Sequence, residues 1–151
     1  MYKTIIAVAL VWFISGCCGN SGYPDSVVKQ EKKSCVSLGM TDSECDCQIE
    51  KMRRMVPYEE YKRRKAKGGN LPNEVMVEAS RCVEDQHSYP KGVVQAYITD
   101  CIKGGGTYEQ CECMIQQHQR MEAYADFIEC GLTHCQLSED MLGNLMACLR
   151  K

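Results

Sequence analysis

Apolar residues recur at helical spacing along much of this 151-residue chain, and no stretch shows sustained alternation of apolar and polar positions. The clearest apolar series is Val93, Val94, Tyr97, Ile98, Cys101 and Ile102. Three glycines, Gly104–Gly106, follow it, and glycine commonly ends a helix. The pattern therefore predicts an all-α protein.

Two threonines mark the starts of further helices. Thr41 is followed three residues later by Glu44, and Thr107 is followed at the same spacing by Gln110. This is the spacing of a capping box, in which a threonine and a residue three positions on satisfy each other's backbone N–H groups. We expect a helix to begin at each threonine.

Each half of the chain should contain about four short helices. Pro57 suits the first turn of a third helix, which we expect to end near Gly68–Gly69. A fourth helix should open at Leu71–Pro72 in the first half and at Ser138 in the second. The inward positions predicted for these fourth helices are Val75, Met76, Ala79, Cys82 and Val83, and Met141, Leu142, Leu145, Cys148 and Leu149.

The chain repeats itself with an offset of 66 residues. That offset superposes Cys35, Cys45, Cys47 and Cys82 on Cys101, Cys111, Cys113 and Cys148 without a gap, and it also matches Gly39, Thr41, Ile49, Arg54, Met55, Tyr58 and Leu71 with identical residues. The match predicts a tandem duplication of a small, disulfide-braced helical unit. The units are residues 27–86 and 91–151, divided near the turn-rich stretch HSYPKG.

The amino-terminal segment has the pattern of an export signal. Lys3 precedes an apolar run, IIAVALVWFI, which is too short to span a bilayer and reads as the core of a secretory leader. The residues Ile14-Ser15-Gly16-Cys17 resemble the lipobox of bacterial lipoproteins. The resemblance implies removal of the signal peptide, residues 1–16, and lipidation of Cys17, followed by a tether over residues 17–26.

The same resemblance implies a location in the bacterial cell envelope. Cys18, next to the lipidated residue, lacks the negative charge that favours retention in the inner membrane of many Gram-negative bacteria. We therefore expect an outer-membrane lipoprotein that faces the periplasm. The lipid anchor would attach the protein to this membrane, which would be its first partner.

Export also sets the state of the cysteines. The chain has twelve cysteines, and thiols at this density outside the cytoplasm are normally oxidised. Setting aside Cys17 leaves an odd number, and Cys18 lies outside the repeated pattern. We expect the remaining ten to form five disulfides.

The two C-x-C motifs constrain how these cysteines pair. Residues two positions apart on a helix point to nearly opposite sides, so Cys45 and Cys47 cannot easily bond to each other. The favoured pairs are Cys35 with Cys45, Cys47 with Cys82, Cys101 with Cys111, Cys113 with Cys148, and Cys130 with Cys135. A swapped arrangement, Cys35 with Cys47 and Cys45 with Cys82, remains open.

Redox and metal chemistry are weaker interpretations of the same cysteines. A thiol–disulfide oxidoreductase would use a cysteine near a helix start, but the intervening acidic residue, Asp46 or Glu112, opposes thiolate formation. The only soft-metal cluster worth naming is Cys113, Met114, His118 and Met121. We expect no metal, no cofactor and no catalytic residues, and we expect His87 and His134 to be solvated.

Charge is distributed unevenly between the halves. Residues 29–84 hold 12 basic and 10 acidic residues, a net of +2, whereas residues 85–151 hold 5 and 9, a net of −4. The basic excess is concentrated in Lys62, Arg63, Arg64, Lys65 and Lys67. This run suits the carboxyl end of a helix, and it is either an ordinary solvated face or a patch for an acidic partner or anionic lipid.

These observations together favour a binding protein over an enzyme. The expected function is protein–protein interaction by a non-catalytic, lipid-anchored envelope protein with an envelope protein as its partner. Alternatives are an inhibitor or immunity-type lipoprotein, and a redox or soft-metal protein that uses the C-x-C pairs. Export and a net charge of −2 argue against nucleic acid, and no small-molecule substrate is indicated.

Overall fold

The computed structural model describes residues 22–150, and within this range the chain forms eight α-helices and no strand. The prediction of an all-α, disulfide-containing fold is confirmed. In chain order the helices are α1 (Asp25–Ser37), α2 (Asp42–Met55), α3 (Tyr58–Ala66), α4 (Asn73–Ser80), α5 (Lys91–Lys103), α6 (Tyr108–Met121), α7 (Tyr124–Thr133) and α8 (Glu139–Cys148).

Helices α2 and α6 begin at the predicted threonines. Thr41 Oγ1 accepts a hydrogen bond from Glu44 N at 3.3 Å, and Glu44 Oε2 accepts one from Thr41 N at 2.7 Å. Thr107 and Gln110 form the equivalent pair at 3.3 and 3.1 Å. Both capping boxes are complete, so the first turn of each C-x-C helix is fixed by its own sequence.

Five disulfides occur in the described region, four of them between helical segments and one within the turn after α7. They join Cys35 to Cys45, Cys47 to Cys82, Cys101 to Cys111, Cys113 to Cys148, and Cys130 to Cys135. This is the pairing favoured from the sequence, and the swapped arrangement does not occur. Each C-x-C motif thus ties its helix to the preceding helix on one side and to the end of the fourth helix on the other.

The two halves share the order of their elements, and the first two helices of one half match those of the other in length. Corresponding helices in α1–α4 and α5–α8 begin 66 residues apart, and α1 and α5 each have 13 residues while α2 and α6 each have 14. The bridges have the same sequence separations, 10 and 35 residues, in both halves. Gly39 and Gly105, at matching positions, both adopt positive φ after the first helix of their half.

One hydrophobic core is shared between the halves. Its buried members come from both of them: Cys35, Met40, Cys45, Val83, Tyr89, Ile98, Cys111, Ile115 and Tyr124. Tyr89 belongs to the HSYPKG stretch, and its ring packs 5.3 Å from Tyr124 and 5.0 Å from Phe127. The segment between the halves is therefore part of the core and joins them into a continuous body.

A second core lies within the first half, and it includes the start of the described chain. Tyr23 is buried with Ile49, Met52, Val56, Tyr61 and Val75. The Tyr23 hydroxyl donates a hydrogen bond to the carbonyl oxygen of Val56 at 3.0 Å. Residues 17–26 were predicted as a tether, but residues 22–26 belong to the folded body because Tyr23 anchors them and α1 begins at Asp25.

Gln86 supplies the amino-terminal cap of α7 from the other half. The N-cap residue of α7, Ala123, has no side-chain acceptor. Instead, Tyr124 N donates to Gln86 O at 2.6 Å and Ala125 N donates to Gln86 Oε1 at 3.0 Å. These bonds satisfy N–H groups that a helix start leaves without intrahelical partners, so the junction of the halves also stabilises α7.

The disulfides should contribute to stability according to the length of chain that they close. Replacing Cys47 and Cys82 with alanine opens a bridge with a separation of 35 residues, whereas replacing Cys130 and Cys135 opens one with a separation of 5. From unfolded-state chain entropy alone, we expect losses of about 4 kcal/mol and about 2 kcal/mol in the free energy of unfolding. Guanidinium unfolding of both double variants beside the wild type measures the difference. Equal losses would show that chain entropy does not govern the stabilisation.

Candidate functional site

The predicted interaction patch occupies the carboxyl-terminal part of α3. Its members are Lys62, Arg63, Arg64, Lys65 and, at the C-cap, Lys67. All are exposed except Arg64, which is half-buried. Cations in the last turn also interact favourably with the helix dipole. The basic run therefore stabilises α3 whether or not it binds a partner.

Carboxylates within the protein pair with most of these cations. The ion pairs are Lys62 with Glu59 at 3.8 Å, Arg63 with Glu60 at 4.0 Å, Arg64 with Glu60 at 2.8 Å, and Lys65 with Glu31 at 3.2 Å. Five cations therefore face three carboxylates, which leaves the surface with a positive excess.

Arg64 and Lys65 hold the helix in place. Arg64 donates from Nε and Nη2 to Glu60 Oε1 at 2.9 and 2.8 Å. Lys65 Nζ lies 5.6 Å from the centre of the Tyr61 ring and pairs with Glu31, which also accepts a hydrogen bond from the Tyr61 hydroxyl at 2.6 Å. Burial, together with the Glu31 carboxylate, raises the pKa of Tyr61. Lys62, Arg63 and Lys67 are left as the outward part of the patch.

The second half has a different surface at the corresponding place. Cys135 N donates to Cys130 O at 3.3 Å, as Gly69 N donates to Arg64 O at 2.9 Å, so both third helices end in the same backbone turn. In α7 a disulfide closes that turn, and His134 takes the left-handed conformation with φ of 54°. A cationic helix end in one half is therefore matched by a cross-linked end in the other, which carries no basic residue in its last turn and has Glu129 at the position of Arg63.

The C-x-C cysteines are bonded and occupy structural positions. Cys45 and Cys111, the two that the redox interpretation would need, are completely buried and disulfide-bonded. Cys47 and Cys113 are bonded to the cysteines that follow α4 or end α8. Their sulfur atoms are thus committed to holding helices together.

The candidate metal ligands have other partners. Cys113 is in a disulfide, and His118 is buried with its Nδ1 hydrogen-bonded to Glu122 Oε1. The Tyr97 and Phe127 rings meet the imidazole edge-on at 5.7 and 5.2 Å. Among residues 22–150 no group of three or more His, Cys, Asp and Glu side chains is arranged to hold a metal ion. His118 is best described as a core residue with one polar partner.

The other two histidines are exposed, as expected for solvated residues. His87 Nδ1 lies 2.9 Å from the carbonyl oxygen of Gln119 and adds a contact between the halves. His134 follows α7 directly as its C-cap.

The predicted attachment to a membrane falls outside the described residues. The signal peptide of residues 1–16, the lipobox, Cys17 and Cys18 all precede residue 22. Among the helices of residues 22–150, none combines the length and the apolar character needed to cross a bilayer.

Glu44 has a second role that the sequence did not reveal. Besides completing the capping box, this buried carboxylate accepts a hydrogen bond from Glu84 N at 2.9 Å, which ties the start of α2 to the segment after α4. In the second half, Gln110 Nε2 donates to Leu149 O at 3.1 Å and makes the equivalent connection. The capping spacing predicted only the local half of this arrangement.

Hydrogen bonding determines the ionisation of Glu44. Burial alone would raise its pKa, but the bonds from the Thr41 backbone, the Glu84 backbone and the Thr41 hydroxyl outweigh burial and lower the pKa below its ordinary value of 4.5. The ionised form is therefore the one that stabilises the fold.

The Glu44→Gln variant tests this account. Because the folded-state pKa is lowered, the carboxylate contributes stability above its unfolded pKa and loses that contribution as the pH falls through the folded value. We expect the variant to be about 1 kcal/mol less stable than the wild type at pH 7. The difference in stability between the variant and the wild type should shrink when urea unfolding is repeated below pH 4.5, the ordinary pKa of a glutamate. A difference that stays constant with pH would contradict an ionised Glu44.

Comparisons with known proteins identify no relative. No protein-family model matches the sequence, and searches of curated proteins and of solved structures find no match.

Proposed function

We propose that this protein is a non-catalytic, lipid-anchored protein of the bacterial envelope whose disulfide-braced helical body binds another protein. Three features support the proposal. The lipobox resemblance at Ile14–Cys17 implies an anchor, the disulfide content suits an oxidising compartment, and the outward cations of α3 provide a binding surface.

The observation that carries the proposal is the exposed cationic end of α3 on a braced body. Lys62, Arg63 and Lys67 point away from the core, while Arg64 and Lys65 fix the helix that presents them. A surface whose backbone is already fixed loses little conformational entropy when it binds. Its positive excess would attract an acidic partner and accelerate their encounter.

The two halves would then be diverged copies of one unit. The common offset of the helices and the equal separations of the bridges support a tandem duplication. The copies differ where a partner would touch them, since α3 ends in cations and α7 ends in the Cys130–Cys135 bridge. Two surfaces of this kind suit contacts with two different envelope or secretion-system proteins.

Replacement of Cys17 tests the anchor. In the Cys17→Ser variant the thiol that would carry the lipid is absent, so the protein should move from the membrane fraction to the soluble fraction of the envelope. Fractionation followed by intact-mass measurement checks both the location and the lipid. The Cys18→Ser variant is the matched control and should stay with the membrane. Equal membrane association of both variants, without added lipid mass, would contradict lipid anchoring.

Charge reversal on α3 tests the binding surface. The partner is first captured by crosslinking the intact protein in its host and is identified by mass spectrometry. The double variant Lys62→Glu with Arg63→Glu should then bind it about tenfold more weakly, equivalent to about 1.4 kcal/mol. The loss should diminish at high salt because ions screen exposed charges.

Lys103→Glu provides the control for this experiment. Lys103 is also exposed and also pairs with a carboxylate three residues before it, Asp100, but it lies in the other half. The Lys103→Glu variant should therefore bind the captured partner with unchanged affinity. The control changes the net charge by two units and the α3 variant by four, so a free-energy loss in the control that is half of the α3 loss or more would mean that net charge, and no surface on α3, governs binding.

A further inference from the structure

Helix α8 has an apolar surface on two adjacent sides. Its buried side consists of Met141, Leu145 and Cys148 and packs toward α6. The neighbouring side carries three apolar residues that remain exposed in the described structure: Leu142 at 48%, Met146 at 57% and Leu149 at 52%. We call these three residues the α8 face.

The equivalent side of α4 is covered. Under the 66-residue offset, the α8 face corresponds to Met76, Ser80 and Val83, of which Ser80 is 4% exposed, Val83 is 5% exposed and Met76 is half-buried. The difference arises because α4 packs against both α2 and α7, whereas α8 packs against α6. The α8 face is thus a helix-binding side that lacks its second helix within residues 22–150.

A head-to-tail arrangement would not match this face. In such an arrangement α3 of a second copy would lie on α8 of the first, just as α7 lies on α4 within one chain. The apolar residues Ala125 and Ile128 of α7 correspond to Glu59 and Lys62 of α3, which are both exposed and charged. Contact with them would leave charged groups against apolar side chains, which is costly.

The α8 face is instead complementary to itself. If two α8 helices lie antiparallel, Met146 opposes Met146 of the second copy, and Leu142 opposes its Leu149. The acidic first turn, Glu139 and Asp140, then faces the second copy's Arg150 at both ends. The antiparallel orientation also aligns the helix dipoles favourably.

The backbone of α8 would allow close approach in this arrangement. Gly143 and Ala147 are both exposed and lie beside the α8 face, on the flank farther from the core, and a Cβ added at Gly143 would meet nothing within 4 Å. Small residues at helix contacts shorten the distance between the axes and bring the flanking side chains together.

We infer that two copies of this chain associate through antiparallel packing of their α8 helices about a twofold axis near Met146. The inference is independent of the proposed binding surface on α3 and of lipid anchoring. The contact is small, so it should be weak in dilute solution, and confinement to a membrane would strengthen it by raising the local concentration.

Disulfide trapping tests the position of the axis. The full chain with Met146→Cys is produced with two different tags and oxidised with diamide. The two thiols lose two protons and two electrons, and diamide is reduced to the hydrazine. Met55→Cys, which also replaces an exposed methionine but lies on α2, is the control. We expect the mixed-tag dimer to form at least about tenfold more from Met146→Cys than from Met55→Cys or the wild type.

Three results of this experiment would overturn the inference. Equal trapping in the Met146→Cys and Met55→Cys proteins would show that the face has no second copy on it. A crosslink to a different protein would assign the face to that protein. A crosslink within one chain to Cys17 or Cys18 would assign it to the amino-terminal segment.

Light scattering of the full chain provides a second test without introduced thiols. The Leu142→Lys and Met146→Lys double variant should lose the concentration-dependent dimer, whereas Ile102→Lys, at another exposed aliphatic residue, should keep it. Thermal unfolding should give unchanged midpoints for both, since all three side chains are exposed. A dimer that survives the double variant would overturn the inference.

Charge exchange tests the register. Arg150→Glu should weaken the dimer, and adding Glu139→Arg and Asp140→Arg should restore it. If Arg150→Glu has no effect, or if the added changes fail to restore association, the antiparallel register is wrong.

Discussion

The geometry of two cysteines separated by one residue on a helix determines how this protein is held together. Their side chains leave the helix in nearly opposite directions, so one sulfur must find a partner on each side. In α2 these partners are Cys35 and Cys82, and in α6 they are Cys101 and Cys148. The second helix of each half is thereby fixed both to the first helix and to the end of the fourth. Short helices that would be marginally stable alone remain in place.

Within residues 22–150 this bracing does not extend across the middle of the chain, because each of the five bridges found there lies within one half or the other. The halves are joined by ordinary noncovalent packing. Tyr89 inserts its ring between them, Gln86 caps α7, and Gly92 N donates to Leu38 O at 2.9 Å. A Cβ at Gly92 would lie 3.0 Å from the backbone Cα of Leu38, besides 2.6 Å from the movable Leu38 Cδ2, so the absence of a side chain allows this close approach. Reduction of the disulfides should therefore affect each half first, while their junction depends on burial and hydrogen bonds.

Local signals allowed much of the fold to be predicted. Helical spacing and two capping boxes indicated the helices, because they depend on residues close in sequence. The repeated cysteines favoured the observed pairing even over 35 residues, because an oxidised cysteine can bond only to another cysteine. Contacts between distant residues were not predictable in the same way. The bond from Glu84 N to Glu44, the cap from Gln86 and the burial of Tyr23 join residues 33 to 40 positions apart. The basic run was recognised as a group of charges, but its division into structural and outward cations depends on Glu31, which lies in another helix.

The attachment of Tyr23 has a mechanical consequence. Its ring lies 5.1 Å from Tyr58 and 5.3 Å from Tyr61, and its hydroxyl is bonded to Val56, at the corner between α2 and α3. Any tension transmitted along the preceding chain is therefore applied to this corner before it reaches α1. The contacts among the three tyrosines would have to break before the bundle itself could be pulled open, so this aromatic cluster would protect the helices behind it from such tension.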